Sequence, residues 1–256
     1  MSSTLIRTLP LLLLVPACAT PGSSLSAHRD ARPLYVEVEA GPLWQTRNDV
    51  RIPGDTGTRF SMSDLIGEDA GVAARVTADW NIDSHHSVRA VIAPINFNDT
   101  GTFDQPANFD GQAFAAGVPT QGTYKFSSYR LGYRYTYLHD EHWRLRVGGT
   151  LFVRDAKIQL EQAGVNASDS DVGIVPLLNL SAEYYPAKDW RIVSELDGLA
   201  SGQGRAFDFT IKGLYDVSEN CSVGLGYRTI EGGADNDDVF NFAWLHSLTL
   251  SVGVGF

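Results

Sequence analysis

Large apolar residues alternate with small or polar ones along most of this 256-residue chain, from Leu34 onward. The last segment shows it most clearly, because Trp244, Leu248 and Leu250 alternate with small polar residues such as Thr249 and Ser251. A period of two is typical of β-strands, whose successive side chains point to opposite faces. The pattern predicts ten strands, at about 34–47, 70–82, 86–98, 123–138, 142–160, 171–186, 189–199, 206–217, 221–231 and 239–256.

The connections between these segments alternate between short and long. Short connections fall at 83–86, 139–142, 186–189 and 218–220, and longer ones near 48–69, 99–122, 161–170, 200–205 and 232–238. Short turns at one end and long loops at the other are typical of outer-membrane barrels, whose short turns are periplasmic. The sequence therefore predicts an all-β, closed antiparallel transmembrane β-barrel of about ten strands, with eight or twelve as the nearest alternatives.

The five tryptophans fall on the apolar face at the ends of the predicted strands. Trp80, Trp143 and Trp190 lie beside short turns, whereas Trp44 and Trp244 lie near long loops. Indole prefers the headgroup level of a bilayer, so this placement predicts one aromatic girdle at each membrane surface. A soluble β-sandwich would bury these side chains between its sheets.

The opposite face carries charges of both signs, which can pair inside a hydrated lumen but would be costly in an apolar core. These residues are Glu37, Glu39, Arg75, Asp79, Arg89, Arg130, Arg134, Arg144, Arg146, Arg154, Glu183, Arg191, Glu195, Asp197, Asp208, Lys212, Asp216 and Arg228. Within this set we predict a lumen network of Glu37, Glu39, Arg130, Arg134, Arg144, Arg146, Glu183, Arg191 and Glu195. Glu183 would meet the arginines from the next strand, and Glu37 or Glu195 from across the lumen. The alternative is a narrow pore whose arginines attract anionic solutes.

Composition narrows the classes of protein further. Twenty basic residues against 30 acidic ones give a formal net charge of −10, which excludes a general nucleic-acid binder. Charged residues make up only 20% of the chain and aromatic residues 11%, unlike a disordered protein. No run of 18 apolar residues occurs, which excludes a transmembrane helix but not the weakly hydrophobic strands of a barrel.

The first residues have the pattern of a bacterial export signal, with Arg7 followed by a short apolar core and small residues. We expect a signal peptide over 1–17, with cleavage as late as 27, a short periplasmic segment over 18–33, and the barrel over 34–256. The sequence Val15-Pro16-Ala17-Cys18 is similar to a lipobox, which would place a lipid on Cys18. The alternative is ordinary cleavage around Ala17-Cys18-Ala19.

The terminal stretch Leu248–Phe256 has the form of a C-terminal barrel-assembly signal that ends in phenylalanine. With the architecture above, it resembles the small outer-membrane β-barrel superfamily of Gram-negative bacteria, which includes OmpA-type, OmpW-like and PagL-like barrels and the omptin proteases. The resemblance covers about residues 34–256. It implies an outer-membrane location, contact with outer-membrane lipids and lipopolysaccharide, and recognition by the barrel-assembly machinery through Phe256.

The enzymes of that superfamily need residue constellations that this chain matches poorly. PagL-like deacylases use a His and a Ser on one strand face, whereas His246 and Ser247 are adjacent and point to opposite faces. Omptins need paired aspartates and an Asp–His pair, for which Asp237 and its neighbours beside His246 are candidates. We therefore assign no catalytic residue and no cofactor. The favoured function is a non-enzymatic envelope-structural, adhesion-type or narrow-pore barrel, and the alternative is a rim-located lipid- or peptide-directed hydrolase.

The sequence contains only weak candidates for metal-ligating residues. His85, His86, His139 and His142 lie in short turns, where polar residues are expected in any case. Asp235, Asp237 and Asp238 could offer oxygen ligands to Ca²⁺, but the loop lacks the full EF-hand pattern. A solvated acidic loop, or one that meets the divalent cations between lipopolysaccharide phosphates, is the preferred interpretation.

Overall fold

A computed structural model describes residues 32–256, apart from Gln203 and the side chains of Asp69 and Ala70. Over this range it contains fourteen strands and one short helix, α1, at Met62–Ile66. The strands are β1 Leu34–Arg51, β2 Phe60–Ser61, β3 Asp69–Asn81, β4 His86–Ala93, β5 Asn96–Thr102, β6 Ala107–Phe109, β7 Gln112–Phe114, β8 Pro119–His139, β9 Trp143–Gln162, β10 Val165–Ala187, β11 Trp190–Ser201, β12 Gly204–Asp216, β13 Cys221–Asp235 and β14 Phe240–Gly255. None of the described helical segments has the length and apolar character of a membrane span.

The large sheet closes on itself as a ten-stranded antiparallel barrel. Neighbours follow chain order, and β14 returns to pair with β1, so that Val36 lies opposite Val254. Strands β4 and β5 both pair with β8 and form one barrel strand, interrupted at Pro94. Proline has no N–H to give to a ladder, which explains the break. The ten predicted strands and the predicted barrel are confirmed.

The period-two pattern places apolar side chains outside the barrel and polar ones inside it. Leu250 is 69% exposed, whereas its neighbours Thr249 and Ser251 are 4% and 5% exposed. Large apolar side chains that face outward on nearly every strand would be unfavourable in water and are favourable in lipid. The apolar belt is therefore the surface that meets the bilayer.

The five tryptophans all point outward from this belt. Trp80, Trp143, Trp190 and Trp244 are between 42% and 54% exposed. Trp143 packs against Tyr184 with 4.7 Å between ring centroids, and Trp190 against Tyr215 at 5.1 Å. Trp44 packs on His246, with 5.6 Å between the ring centroids. The girdles predicted from sequence thus have outward-facing members at both ends of the barrel.

At one end of the barrel, short turns are closed by aspartate side chains. The carboxylate of Asp140 accepts hydrogen bonds from the backbone N–H groups of His142 and Trp143, both at 2.8 Å. Asp83 accepts two such bonds from His85 and His86. These donors stabilise the carboxylate form and lower the pKa of both aspartates.

At the other end, two connections are long, and three predicted loops are shorter than expected. The connection expected over 161–170 is only the turn Ala163-Gly164, because residues 165–172 continue the ladder with β9. Both turn residues have positive φ, 46° and 88°, as the common two-residue hairpin requires. The expected loops over 200–205 and 232–238 are likewise largely strand, since β12 begins at Gly204 and β13 runs to Asp235.

The two long connections carry α1 and the β6–β7 hairpin, and they build an apolar core within this end of the barrel. Met62 and Phe109 are fully buried, and they pack with inward-facing wall residues such as Leu160 and Leu245. Glycines let the helix approach the wall, because a Cβ on Gly101 would lie 1.7 Å from the Leu65 carbonyl oxygen. This cap was not expected from the alternation of the strands.

We expect replacement of Asp140 by alanine to lower the unfolding temperature of the barrel at pH 7, since two backbone N–H groups lose their acceptor. The pKa of Asp140 is lowered by folding, so its contribution is present above the unfolded value, ordinarily 3.8, and is lost as the pH falls through the folded value. The difference between wild type and Asp140→Ala should therefore shrink in strongly acidic buffer. Heat-dependent gel migration of the detergent-folded protein measures the unfolding temperature of wild type and variant at each pH.

Glu141→Ala is the matched control, because it removes the same charge from the adjacent exposed position. An equal loss in Glu141→Ala, or a difference in Asp140→Ala that does not change with pH, would show that the turn does not depend on this carboxylate.

Candidate functional site

The inward charges form a dense band across the lumen of the barrel. Nine cations face eight carboxylates in this band: Arg75, Arg89, Arg130, Arg134, Arg144, Arg146, Arg191, Lys212 and Arg228, with Glu37, Glu39, Asp79, Glu183, Glu195, Asp197, Asp208 and Asp216. Nearly all are less than a tenth exposed, and Arg134 is fully buried. A charge this far from bulk water needs partners of opposite sign or strong hydrogen bonds.

Glu195 joins two arginines from the opposite side of the lumen. Its Oε2 accepts a hydrogen bond from Arg89 Nη2 at 2.6 Å, and its Oε1 lies 3.3 Å from Arg134 Nη1. Arg134 on β8 also pairs with Asp79 on β3, which lies two strands away. Because Glu195 is on β11, while the arginines are on β4 and β8, these bonds cross the lumen.

Glu183 joins a second pair of arginines nearer the short-turn end. It accepts from Arg146 on the adjacent strand and from Arg191 Nη1 at 3.3 Å. The Tyr185 hydroxyl donates a third hydrogen bond at 3.0 Å. Arg144 lies on β9 two residues nearer the short turn than Arg146. It donates to the Asn81 side-chain oxygen at 3.3 Å. Arg134, Arg144 and Arg146 are thus held by carboxylates or by an amide from several strands.

A third cluster lies nearer the capped end and centres on Asp208. Arg228 donates to both Asp208 oxygens, at 2.9 and 2.7 Å, in a bidentate pair. Arg130 lies between Asp208 and Asp197, at 2.6 and 2.8 Å, and its guanidinium stacks over Phe152. Planar guanidinium groups suit this arrangement, since one can hold two carboxylates at once.

Glu37 pairs with a lysine, whereas it was expected to meet Arg130, Arg134, Arg144 or Arg146. Its carboxylate lies 2.6 Å from Lys212 Nζ, and Lys212 also lies 3.5 Å from Glu39. The tilt and stagger of the strands determine which inward residues meet across a barrel. Neither can be deduced from the sequence of a single strand. Asp79, Arg89, Asp197, Asp208, Lys212 and Arg228 were placed on the inward face by the alternation but left out of the predicted network. Cross-lumen contact is what brings them into it.

In the described part of the chain, two cavities of the lumen lie on opposite sides of this band. One, of about 530 Å³, lies toward the capped end and reaches down to Arg130, Asp197 and Asp208. The other, of about 50 Å³, lies toward the short-turn end, beside Arg89 and Lys212. The two cavities share no lining residue. The charge band therefore separates them.

The alternative hydrolase site is not assembled around His246. Its Nε2 lies 2.9 Å from Thr46 Oγ1, and its Nδ1 lies 2.6 Å from the Tyr227 hydroxyl. Nothing in residues 32–256 joins it by a hydrogen bond or ion pair to Asp235, Asp237 or Asp238. Ser247 belongs to the inward face, whereas His246 lies among outward aromatic rings, as the alternation required.

The metal candidates are likewise not brought together. Within the described chain, no group of three or more His, Cys, Asp or Glu side chains could hold a metal ion. Asp235, Asp237 and Asp238 surround a turn that Asn236 closes by accepting from the backbone N–H of Val239 at 2.8 Å. The ring nitrogen Nδ1 of His85 is engaged by the Thr136 carbonyl at 3.0 Å. The weak calcium prediction gains no support from this geometry.

Several sequence-based predictions concern residues outside the described range. The signal peptide over 1–17, most of the segment over 18–33, and the lipidation site at Cys18 all stay predictions. Phe256 is described: its backbone N–H donates to the Leu34 carbonyl at 2.8 Å, beside the seam where β14 meets β1. Its role in assembly also stays a prediction.

No protein-family model and no curated protein sequence matches the chain. Among solved structures, it is similar to the outer-membrane protease OmpT from Escherichia coli, with a TM-score of 0.53 and 10% identity over 87% of this chain and 96% of that one. Weaker matches include the attachment protein Ail of Yersinia pestis (TM-score 0.41, 12% identity, 87% and 99% coverage) and Neisserial surface protein A (0.38, 13%, 88% and 97%). The chain has the fold of the small outer-membrane β-barrels. At these identities the likeness concerns the fold alone.

We expect Glu183→Gln to destabilise the barrel by about 3–5 kcal/mol, because it leaves two buried arginines without their shared carboxylate. Glutamine keeps the shape of the side chain, so the loss reports the charge. Equilibrium unfolding in urea, with the barrel folded in detergent, measures the free energy.

The exposed Glu141→Gln serves as the control, since it makes the same chemical change in a turn. If Glu183→Gln unfolds at the same urea concentration as wild type, water reaches these arginines and the band is not closed.

Proposed function

We propose that this chain is a non-enzymatic outer-membrane barrel with a closed lumen, which serves an envelope-structural or adhesion-type role. The observation that carries the proposal is the charge band, in which carboxylates such as Glu195 bridge cations from opposite walls. A ten-stranded barrel is only slightly wider than the eight-stranded size that side chains fill. Long arginine side chains across that width leave little room for a continuous water column.

The outward belt supports a location in the outer membrane. Its large apolar side chains are flanked by tryptophans at both ends, as in barrels that contact lipid directly. Outer-membrane lipids and lipopolysaccharide are then its immediate neighbours. We further propose that the terminal strand ending at Phe256 is what the assembly machinery recognises before that strand pairs with β1.

The end opposite the short turns is the part of the molecule available for contacts outside the cell. It carries the cap and the long β9–β10 hairpin, whose outward residues near its tip are polar, among them Asn166, Ser168 and Ser170. A long, paired hairpin with a polar tip fits an adhesion-type or structural role better than a role in conduction.

Single-channel recording in planar bilayers tests the closed lumen. Wild-type protein should insert without resolvable conductance steps, because the charge band separates the two cavities. The double variant Arg89→Ser/Glu195→Ser removes one cross-lumen pair while keeping the charge balance, and it should conduct if it folds. Flotation of the same preparations with liposomes shows that both proteins have inserted.

Persistent conductance steps from inserted wild-type protein would replace this proposal by the narrow-pore function. Gel migration of the double variant shows whether it is folded.

A further inference from the structure

The 530 Å³ cavity at the capped end is a blind vestibule. Its floor is the cluster of Arg130, Asp197 and Asp208, and the charge band below closes it. Its walls belong to strands β8 to β14. Cavities of about 300–1,000 Å³ are those in which proteins bind small molecules. A vestibule of this size with a closed floor can hold a ligand but offers it no way through.

The walls of the vestibule combine apolar side chains with charged ones. Inward-facing apolar residues line it: Phe126, Phe152, Val175, Leu177, Ile230 and Leu245. The interior of an outer-membrane barrel is ordinarily polar, because water fills it. Ile230 and Leu245 belong at the same time to the apolar core that the cap builds, so the vestibule borders that core. An apolar ligand body would remove the remaining apolar surface of the cavity from water.

The lining of the vestibule as a whole carries six carboxylates against four cations: Asp169, Asp171, Asp197, Asp208, Glu231 and Asp238, with Arg130, Arg154, Lys157 and Arg205. Asp169 and Asp171 line the cavity on β10, and Arg154 pairs with Asp171. Asp169 has no ion pair within the part of the chain that the structure describes. It lies beyond Val172, the last exposed large apolar residue of β10 toward this end. Burial, together with the charges of Asp110 and Asp171, raises the pKa of Asp169.

Tyr124 gives the vestibule a second polar group. Its side chain lines the cavity, and its hydroxyl makes no hydrogen bond to any residue in the described range. A hydroxyl can donate or accept, so it is available to the polar end of a ligand.

We propose that the vestibule binds a small amphipathic cation, with its apolar body against Tyr124 and Phe126 and its ammonium group beside Asp169. These two aromatic residues lie level with Asp169 and Asp171, two strands away across β9. The unpaired carboxylate favours a cation over an anion, and the aromatic rings favour it further. This proposal goes beyond the closed-lumen function. Conductance by the wild type would contradict the closed lumen but not binding in the vestibule. Absence of binding would contradict the vestibule proposal but not the closed lumen.

The test uses the full barrel in lipid nanodiscs and isothermal titration with 4-phenylbutylamine, which is an ammonium ion at pH 7. Its carboxylate and alcohol counterparts, 4-phenylbutanoate and 4-phenylbutanol, have the same apolar body. Empty nanodiscs correct for partition into lipid. We expect the amine to bind, and the acid to bind at least about tenfold more weakly, as expected for one charged contact.

Two variants locate the site. Asp169→Asn should weaken binding of the amine about tenfold, whereas Asp235→Asn, which removes an exposed charge outside the cavity, should not. Ala156→Phe fills the space between Phe126 and Asp171 from β9 and should abolish binding. Equal binding of acid, alcohol and amine would overturn the proposal, and so would equal binding by Asp169→Asn and wild type. Asp169→Asn changes a half-exposed side chain, so the test does not depend on whether the filled variant folds.

Discussion

Closure of the sheet between β14 and β1 is the constraint on which the rest of this molecule depends. Within a bilayer there is no water to satisfy an unpaired strand edge, so a sheet can cross only when every edge is paired. The β14–β1 ladder achieves this with fourteen paired positions and one irregularity near Gln45. Closure with ten strands also determines how wide the lumen is, and the width decides what can fill it.

The interior charges follow from that width. A lumen this narrow cannot hydrate nine cations and eight carboxylates separately, so each must find partners on other strands. Carboxylates that bridge two cations, such as Glu183 and Glu195, do this with the fewest groups. The same bonds that compensate for desolvation also tie opposite walls together. A paired interior therefore closes the lumen and stiffens the barrel at once.

The two halves of the lumen are filled in different ways. Toward the short turns, charges pair across the full width and leave only a cavity of about 50 Å³. Toward the cap, many inward residues are apolar, and part of them pack with α1 and the β6–β7 hairpin in one core. The vestibule is the space beside that core. Its apolar side chains and unpaired Asp169 set it apart chemically from the polar band beneath it.

The strand pattern by itself determined the architecture, because in a barrel between lipid and water the period of two has direct physical meaning. It placed the ten strands, the outward tryptophans and the inward charges, and it separated His246 from Ser247. Local sequence also indicated the short turns, where Asp83 and Asp140 close the backbone through bonds to residues two or three positions away. Contacts of this kind join neighbours in sequence and can be read there.

Only the tertiary structure decided which charges meet, since strand stagger brings Lys212 to Glu37 and Glu195 to two arginines from the opposite wall. It also decided that Leu160 and Leu245 pack beneath the cap. Both side chains are apolar although they face inward, and the alternation along the strands does not predict the cap. Residues 165–170 were expected to belong to a loop, yet pairing with β9 makes them strand. Cross-lumen pairs, the cap and the vestibule depend on contacts between residues distant in sequence, and no local pattern contains those.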